Sequence, residues 1–238
     1  MDELTLAILL GLSVLPPLLF AVWVRNHERH QREPWRAVFG AFLFGGTAGV
    51  AIALGLELVG AGGFGDAQHG GAFLMLVVGA PLAEELAKGL GLGLVRRRIL
   101  ELEDGIIYGA CIGLGFAATE NLLYGLQALR DGGLADAEMA IAFRVLSSTL
   151  LHAGSTALLG FGYSRLVLRR GAALLLPFYL LAVAQHALYN FLVGPHLVGP
   201  QLLLGFGTAI AMVLVVTGIL RRQIRVLDAR PPEWIPLK

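Results

Sequence analysis

Two adjacent carboxylates, Glu84 and Glu85, stand inside an apolar stretch running from Ala72 to Val95, with Lys88 one helical turn further on. A charge in the hydrocarbon core of a bilayer costs roughly 2.5–3.5 kcal/mol per Asp or Lys on insertion scales. A helix carrying three such groups needs partners for them. Glu120, Asn121, His152, His186 and Asn190 lie in other apolar segments and are the candidates. Ionisable groups so placed mark a functional site inside the membrane.

Two imidazoles with two or three carboxylates suit Zn2+, which takes His nitrogen and Asp or Glu oxygen in tetrahedral sites. A bound metal lowers the pKa of water and polarises a carbonyl, and a remaining glutamate can then act as general base. The same groups without metal can also work, a Glu–His pair activating water while Asn and His stabilise an oxyanion. Asn190 shares a face with His186 at i,i+4, where it can orient the imidazole, donate to an oxyanion or make a plain interhelical bond. An ion pair of Lys88 with Glu84 or Glu85 lowers the insertion cost, yet leaves two carboxylates for one amine.

The elements that must position these groups are membrane helices. The 238 residues are 56% hydrophobic and only 15% charged, with mean hydropathy +0.73. Soluble domains carry about 25% charged residues, so the composition is that of a membrane protein. The net charge of +1 and the absence of a basic or acidic tail give no reason to expect a nucleic-acid partner. Cys111 is the single cysteine and reads as a small packing residue.

A span needs about 20 apolar residues. We assign seven, near 4–24, 36–60, 72–95, 105–127, 143–165, 171–193 and 198–220, as one transmembrane domain over 1–238 with a catalytic core at about 72–193. The first follows Asp2 and Glu3 instead of a basic region and reads as a retained helix, not a signal peptide. Pro16 and Pro17 kink it. Pro81 frees a backbone carbonyl just before the carboxylate pair or is simply tolerated.

Of the 18 Lys and Arg, only Lys88, Arg130 and Arg144 lie outside the loops after spans one, three and five and the tail. The positive-inside rule therefore puts the N-terminus outside and the C-terminus in the cytoplasm. Counting ~1.5 Å per residue from the arginine-bearing flanks, Glu84, Glu85, Glu120, His152 and His186 fall about 17 to 24 Å deep, in one layer. Glycine pairs at helical spacing (Gly45 with Gly49, Gly89 with Gly93) and the run Gly105, Gly109 and Gly113 allow close helix packing. His27, His30, His69 and His196 read as solvated loop residues, Glu57 as interfacial, and Arg144 as a headgroup anchor or a border of the site. Trp23 and Trp35 read as interfacial belt residues.

The order and spacing of the polar groups resemble the PrsW family of intramembrane proteases, distant relatives of the CAAX-processing enzymes. The motif EExxK reads as Glu84, Glu85 and Lys88, and FxxxEN as Phe116, Glu120 and Asn121. His152 follows in the next span, and His186 with Asn190 forms the last motif. The resemblance implies an intramembrane endopeptidase of metallo- or glutamate type in a prokaryotic plasma membrane. Glu84 or Glu85 would be the water-activating base, and Glu120, His152 and His186 metal ligands or transition-state stabilisers, with Lys88 and Asn190 orienting them. It further implies a single-pass membrane protein as substrate, such as an anti-sigma factor cut on its outer side. The rival expectation is a proton- or metal-coupled transporter using the same Glu and His, against which stands the lack of a repeat in the two halves. A non-catalytic membrane receptor is the third.

Overall fold

The computed structural model describes residues 2–60, 70–169, 171, 173, 175–194 and 196–229. His69 and the charges Arg170, Arg230 and Lys238 lie outside them. Every regular element among the described residues is helical. Helix α1 (Glu3–Arg25) is capped by Asp2, whose carboxylate accepts the Thr5 N–H at 2.7 Å. Helix α2 (Trp35–Phe44) passes through a π turn at Gly45–Gly49 into α3 (Val50–Gly60). A short α4 (Gly71–Leu74), a second π turn (Met75–Gly79) and α5 (Ala80–Leu92) form the segment that bears the carboxylate pair. It ends in the 3-10 turn Gly93–Arg98. Then come α6 (Leu102–Gly132), α7 (Leu134–Leu146), α8 (Ser148–Arg169), α9 (Leu176–Val193) and α10 (Pro200–Asp228).

Among the described residues five helices are long and apolar enough to cross a membrane: α1, the continuous Trp35–Gly60, α6, α9 and α10. The other two expected spans are present as helical segments of a different character. The third runs through its π turn from Gly71 to Leu92 and is set apart by carrying three charges, Glu84, Glu85 and Lys88. The fifth, α8, has 22 residues, with Ser148, Thr149, His152, Ser155, Thr156 and Ser164 all buried. Its start also differs from the expected residue 143. Ser147 (φ −125, ψ −70) interrupts the helix, and its hydroxyl bonds the Phe143 carbonyl and the Tyr189 hydroxyl, each at 2.7 Å. That local bonding competes with the helical ladder, so 134–146 becomes a separate helix.

The centre of the bundle is α6. Its apolar stretch is 78% buried, against 22% for α1 and 17% for α10. Its mean hydropathy is correspondingly lower, 1.4 against 2.4 for α10, because protein-facing positions hold small residues while lipid-facing ones hold Leu and Val. Outward residues such as Leu58, Leu203 and Leu204 are more than 70% exposed, a surface suited to lipid.

The α6–α8 seam shows what the glycine run does. A Cβ at Gly105, Gly109 or Gly113 would collide with the carbonyl of Gly160, Thr156 or His152 respectively. These backbones therefore touch, and only glycine fits. Gly45 is similarly pressed on Ile112, whereas Gly93 faces open space, so close packing does not explain that glycine.

The arginine-bearing ends gather on one face. The N–H groups of Arg29 and His30 both donate to Asp228 at the end of α10, at 3.1 Å, and Gln31 reaches Glu101 at 3.4 Å. Arg25 lies over Trp35, 4.0 Å from the ring centroid. His30 is thus not merely solvated, since its Nδ1 is also 3.1 Å from Asp228. His27 is half-buried, and His196 is exposed but 5.0 Å from the rings of Phe73 and Phe191. Cys111 is fully buried.

Candidate active site

Four helices bring their polar residues to one cluster: α5 with Glu84, Glu85 and Lys88, α6 with Glu120, α8 with His152, and α9 with His186. At the centre is Lys88, fully buried. Its Nζ donates to Glu85 Oε1 at 2.9 Å and Glu84 Oε2 at 3.1 Å, and lies 2.8 Å from His152 Nδ1. The ring of Phe116 covers the ammonium at 4.1 Å. With three acceptors and an aromatic face, the amine is satisfied without water.

The two carboxylates of the pair do different things. Glu85 is fully buried and lies behind the wall of the cavity. Its Oε1 accepts from His186 Nδ1 at 3.0 Å and its Oε2 from the Thr156 hydroxyl at 3.2 Å. Glu84 lines the cavity, its Oε2 3.8 Å from His186 Nε2 and 3.9 Å from His152 Nδ1.

Each histidine is held on its other side by a carboxylate. His152 Nε2 lies 2.7 Å from Glu120 Oε2, and His186 Nδ1 is held by Glu85. An ionised carboxylate only accepts, so these contacts place the proton on His152 Nε2 and on His186 Nδ1. The remaining nitrogens, His152 Nδ1 and His186 Nε2, both turn toward Glu84. The imidazole planes cross at 89° with centroids 5.0 Å apart.

Glu120 is itself fixed by Arg144, whose Nη2 is 2.9 Å from the same Oε2. The guanidinium also donates to Asn121 and Ser148 at 3.1 and 3.0 Å and lies 4.0 Å over the Tyr124 ring. Arg144 therefore borders the site. Asn121 donates to Thr149 at 3.0 Å, tying α6 to α8. Sequence reasoning missed Thr156, Ser148 and Tyr124, since neutral or aromatic residues in an apolar helix carry no distinguishing signal. Glu57, read as interfacial, lines the cavity from α3.

Asn190 lines the cavity but is not bonded to His186. Its amide donates to the Leu76 carbonyl at 2.9 Å. The reason lies in the π turn. The Ala80 N–H bonds Met75 O, five residues back, so the next bond in that register would join residue 81 to Leu76 O. Residue 81 is proline and has no N–H, and Asn190 fills the vacancy. Pro81 does free a carbonyl, and the acceptor so created holds α9.

A cavity of about 850 Å³ opens over this cluster, lined by Glu84, Glu120, His152, His186, Asn190 and Arg144 with apolar residues of α3 and α10. One ligand atom from each of Glu84, His152 and His186 lies within 4.8 Å of the others. Two imidazoles and one carboxylate with an open fourth position are a donor set of catalytic zinc. Each imidazole has a carboxylate behind it, as metal-binding histidines usually do. Glu120 is outside this group: it meets His152 at Nε2, the nitrogen turned away from Glu84, so the set differs from the expected Glu120, His152 and His186. Lys88 touches both Glu84 and His152, and an ion held there would require it to retract toward Glu85.

Residues 33–219 match the sequence profile described as PrsW family intramembrane metalloprotease. The chain belongs to that family. A curated PrsW relative, Protease PrsW of Clostridioides difficile (strain 630), is 34% identical over 116 residues, which cover 48% of this chain and 48% of that protein. Protease PrsW of Geobacillus kaustophilus (strain HTA426) is 29% identical over 194 residues, 77% of this chain and 79% of that protein. The match thus spans about half the length of the first relative. No solved structure matches the chain. The motifs that carried the resemblance to PrsW proteases, EExxK, FxxxEN and the two histidines, are the residues that meet around Lys88.

Proposed function

We propose that this protein is an intramembrane endopeptidase that hydrolyses a peptide bond of a membrane-anchored protein. The reading is carried by one observation: two unprotonated imidazole nitrogens, His186 Nε2 and the Lys88-bonded His152 Nδ1, face Glu84 Oε2 at 3.8 and 3.9 Å in a cavity inside the bundle. Family membership supports it.

In this reading Glu84, His152 and His186 hold a metal, with Zn2+ the ion that best suits the donors. When bound, the metal would lower the pKa of water and polarise the scissile carbonyl. The chain's own groups do the rest. Glu85 and Glu120 fix the two imidazoles. Glu120 Oε1, without a partner among the described residues, takes the proton of the attacking water as the C–O bond forms. The same oxygen returns that proton to the departing amide nitrogen as the C–N bond breaks. Arg144 keeps the Glu120 carboxylate in place, and the apolar wall excludes bulk water. This exchanges the roles that sequence reasoning gave Glu84 and Glu120.

Seven spans with the N-terminus outside follow from the charge distribution, and the layer of polar groups then lies in the outer half of the bilayer. A single-pass protein such as an anti-sigma factor is the substrate that the family resemblance suggests.

The test is cleavage of a candidate single-pass substrate by purified protein in liposomes, comparing wild type with Glu84→Gln, His152→Ala and His186→Ala. Loss of cleavage and of bound metal in all three is expected. Cleavage at the wild-type rate by any of them would refute the assignment.

A further inference from the structure

A second group of carboxylates converges well away from the active site, where the loop between α1 and α2 meets the start of α6. The loop supplies Glu28 and Glu33; the cap and first turn of α6 supply Glu101, Glu103 and Asp104. Glu28 is fully buried, and Glu33, Glu103 and Asp104 nearly so. One oxygen from each of Glu28, Glu101 and Asp104 lies within 4.8 Å of the others.

Backbone donors satisfy part of this charge. The N–H groups of Leu100 and Glu101 reach Asp104 Oδ2 at 2.6 and 2.8 Å, and that of Glu33 reaches Glu28 Oε2 at 3.3 Å. The Tyr108 hydroxyl donates to Glu33. The other oxygen of Glu28, Oε1, is buried with no partner. A buried carboxylate oxygen left without a donor is costly, and with Glu101 and Asp104 beside it the Glu28 oxygen calls for a cation.

The three converging groups offer only oxygen, the donor preferred by Ca2+ and Mg2+ over softer metals. A cavity of about 210 Å³ adjoins them, bounded by Gln31, Glu33, Glu101 and Asp104 and by Arg97 and Arg98. It leaves room for the waters such an ion retains. We propose that Glu28, Glu101 and Asp104 form a second, non-catalytic site for a hard divalent cation, which pins the α1–α2 loop to the beginning of α6.

The experiment uses full-length protein carrying Glu84→Gln and His186→Ala, which removes the candidate metal ligands of the active site. After chelator treatment, CaCl2 or MgCl2 is titrated in and thermal unfolding is followed. At a cation concentration on the order of 100-fold above Kd, Tm should rise by roughly 5 °C. Adding Glu28→Gln, or independently the half-buried Glu101→Gln, should abolish the rise. Absence of a rise with either cation overturns the proposal, and so does an equal rise in both cluster variants. A Tm that responds to pH alone identifies a proton site and also overturns it. Should the Glu28→Gln protein not fold, Glu101→Gln and calorimetric titration of the parent with Ca2+ decide the question.

Discussion

Glu85 Oε1 and His186 Nδ1 lie 3.0 Å apart, and through this bond a residue that never reaches the cavity sets the face that His186 presents to it. Glu85→Gln preserves the shape but replaces an obligatory acceptor with an amide that can donate instead. Activity and metal affinity should fall by roughly 10–100-fold. Glu84→Gln should lose more, because it alters the group that faces the reacting atoms. Cleavage rates together with metal content by mass spectrometry distinguish the two.

Lys88→Met removes the cation that bridges Glu84, Glu85 and His152. Leaving buried charges unpaired should destabilise the protein by about 3–5 kcal/mol, read by thermal unfolding in detergent. Adding Glu85→Gln to Lys88→Met should recover part of that loss, since the two effects share one interaction. Strict additivity of the two substitutions would contradict the arrangement.

The Asn190–Leu76 bond exists because Pro81 cannot donate. Asn190→Ala should cost about 0.6–1.7 kcal/mol. In a Pro81→Ala background, where residue 81 regains an N–H for Leu76 O, the same substitution should cost close to nothing. A double-mutant cycle by thermal unfolding measures the difference.

Gly109→Val should prevent normal assembly, because its Cβ would meet the Thr156 carbonyl and force α6 away from α8. Gly93→Ala, with nothing within 4 Å of the added carbon, should leave stability and activity near wild type. Elution profile and unfolding temperature of the two variants check the contrast.

Burial, reinforced by the charge of Asp104, raises Glu28 from 4.5 to about 7 and Glu33 to about 8. Both folded values lie above the ordinary one, so the folded chain holds more protons than the unfolded chain between them. Their contribution to stability is complete below about pH 4.5 and is lost as pH rises through about 7 and about 8. In cation-free buffer Tm should therefore decline from pH 5 to pH 8, and Glu28→Gln should flatten the decline.

The residues of the candidate site were legible because lipid makes them conspicuous. Nothing in an apolar helix hides the cost of Glu84, Glu85, Lys88 or His152, so their presence implied a shared pocket before any fold was known. The break at Ser147 was not legible, since Phe143, Val145 and Leu146 around Arg144 lead into the apolar span and hydropathy does not register an interrupted helical ladder. Glu28, Glu33 and Asp104 escaped notice for the opposite reason. They stand among polar loop residues near arginines, where a carboxylate ordinarily meets water, and only the fold buries them. The division of labour within the Glu84–Glu85 pair depends on which way α5 faces, and that is decided by packing on α8 and α9.

A bilayer that thins or thickens changes the tilt of the helices it surrounds. Joined backbone to backbone along their glycines, α6 and α8 must lean together as a single strut, carrying the 2.7 Å contact of Glu120 with His152 unchanged. The adjustment then falls on α3 and α10, which wall the cavity with largely lipid-facing surfaces. Membrane thickness should accordingly govern how readily a polypeptide gets in, well before it disturbs the reacting groups.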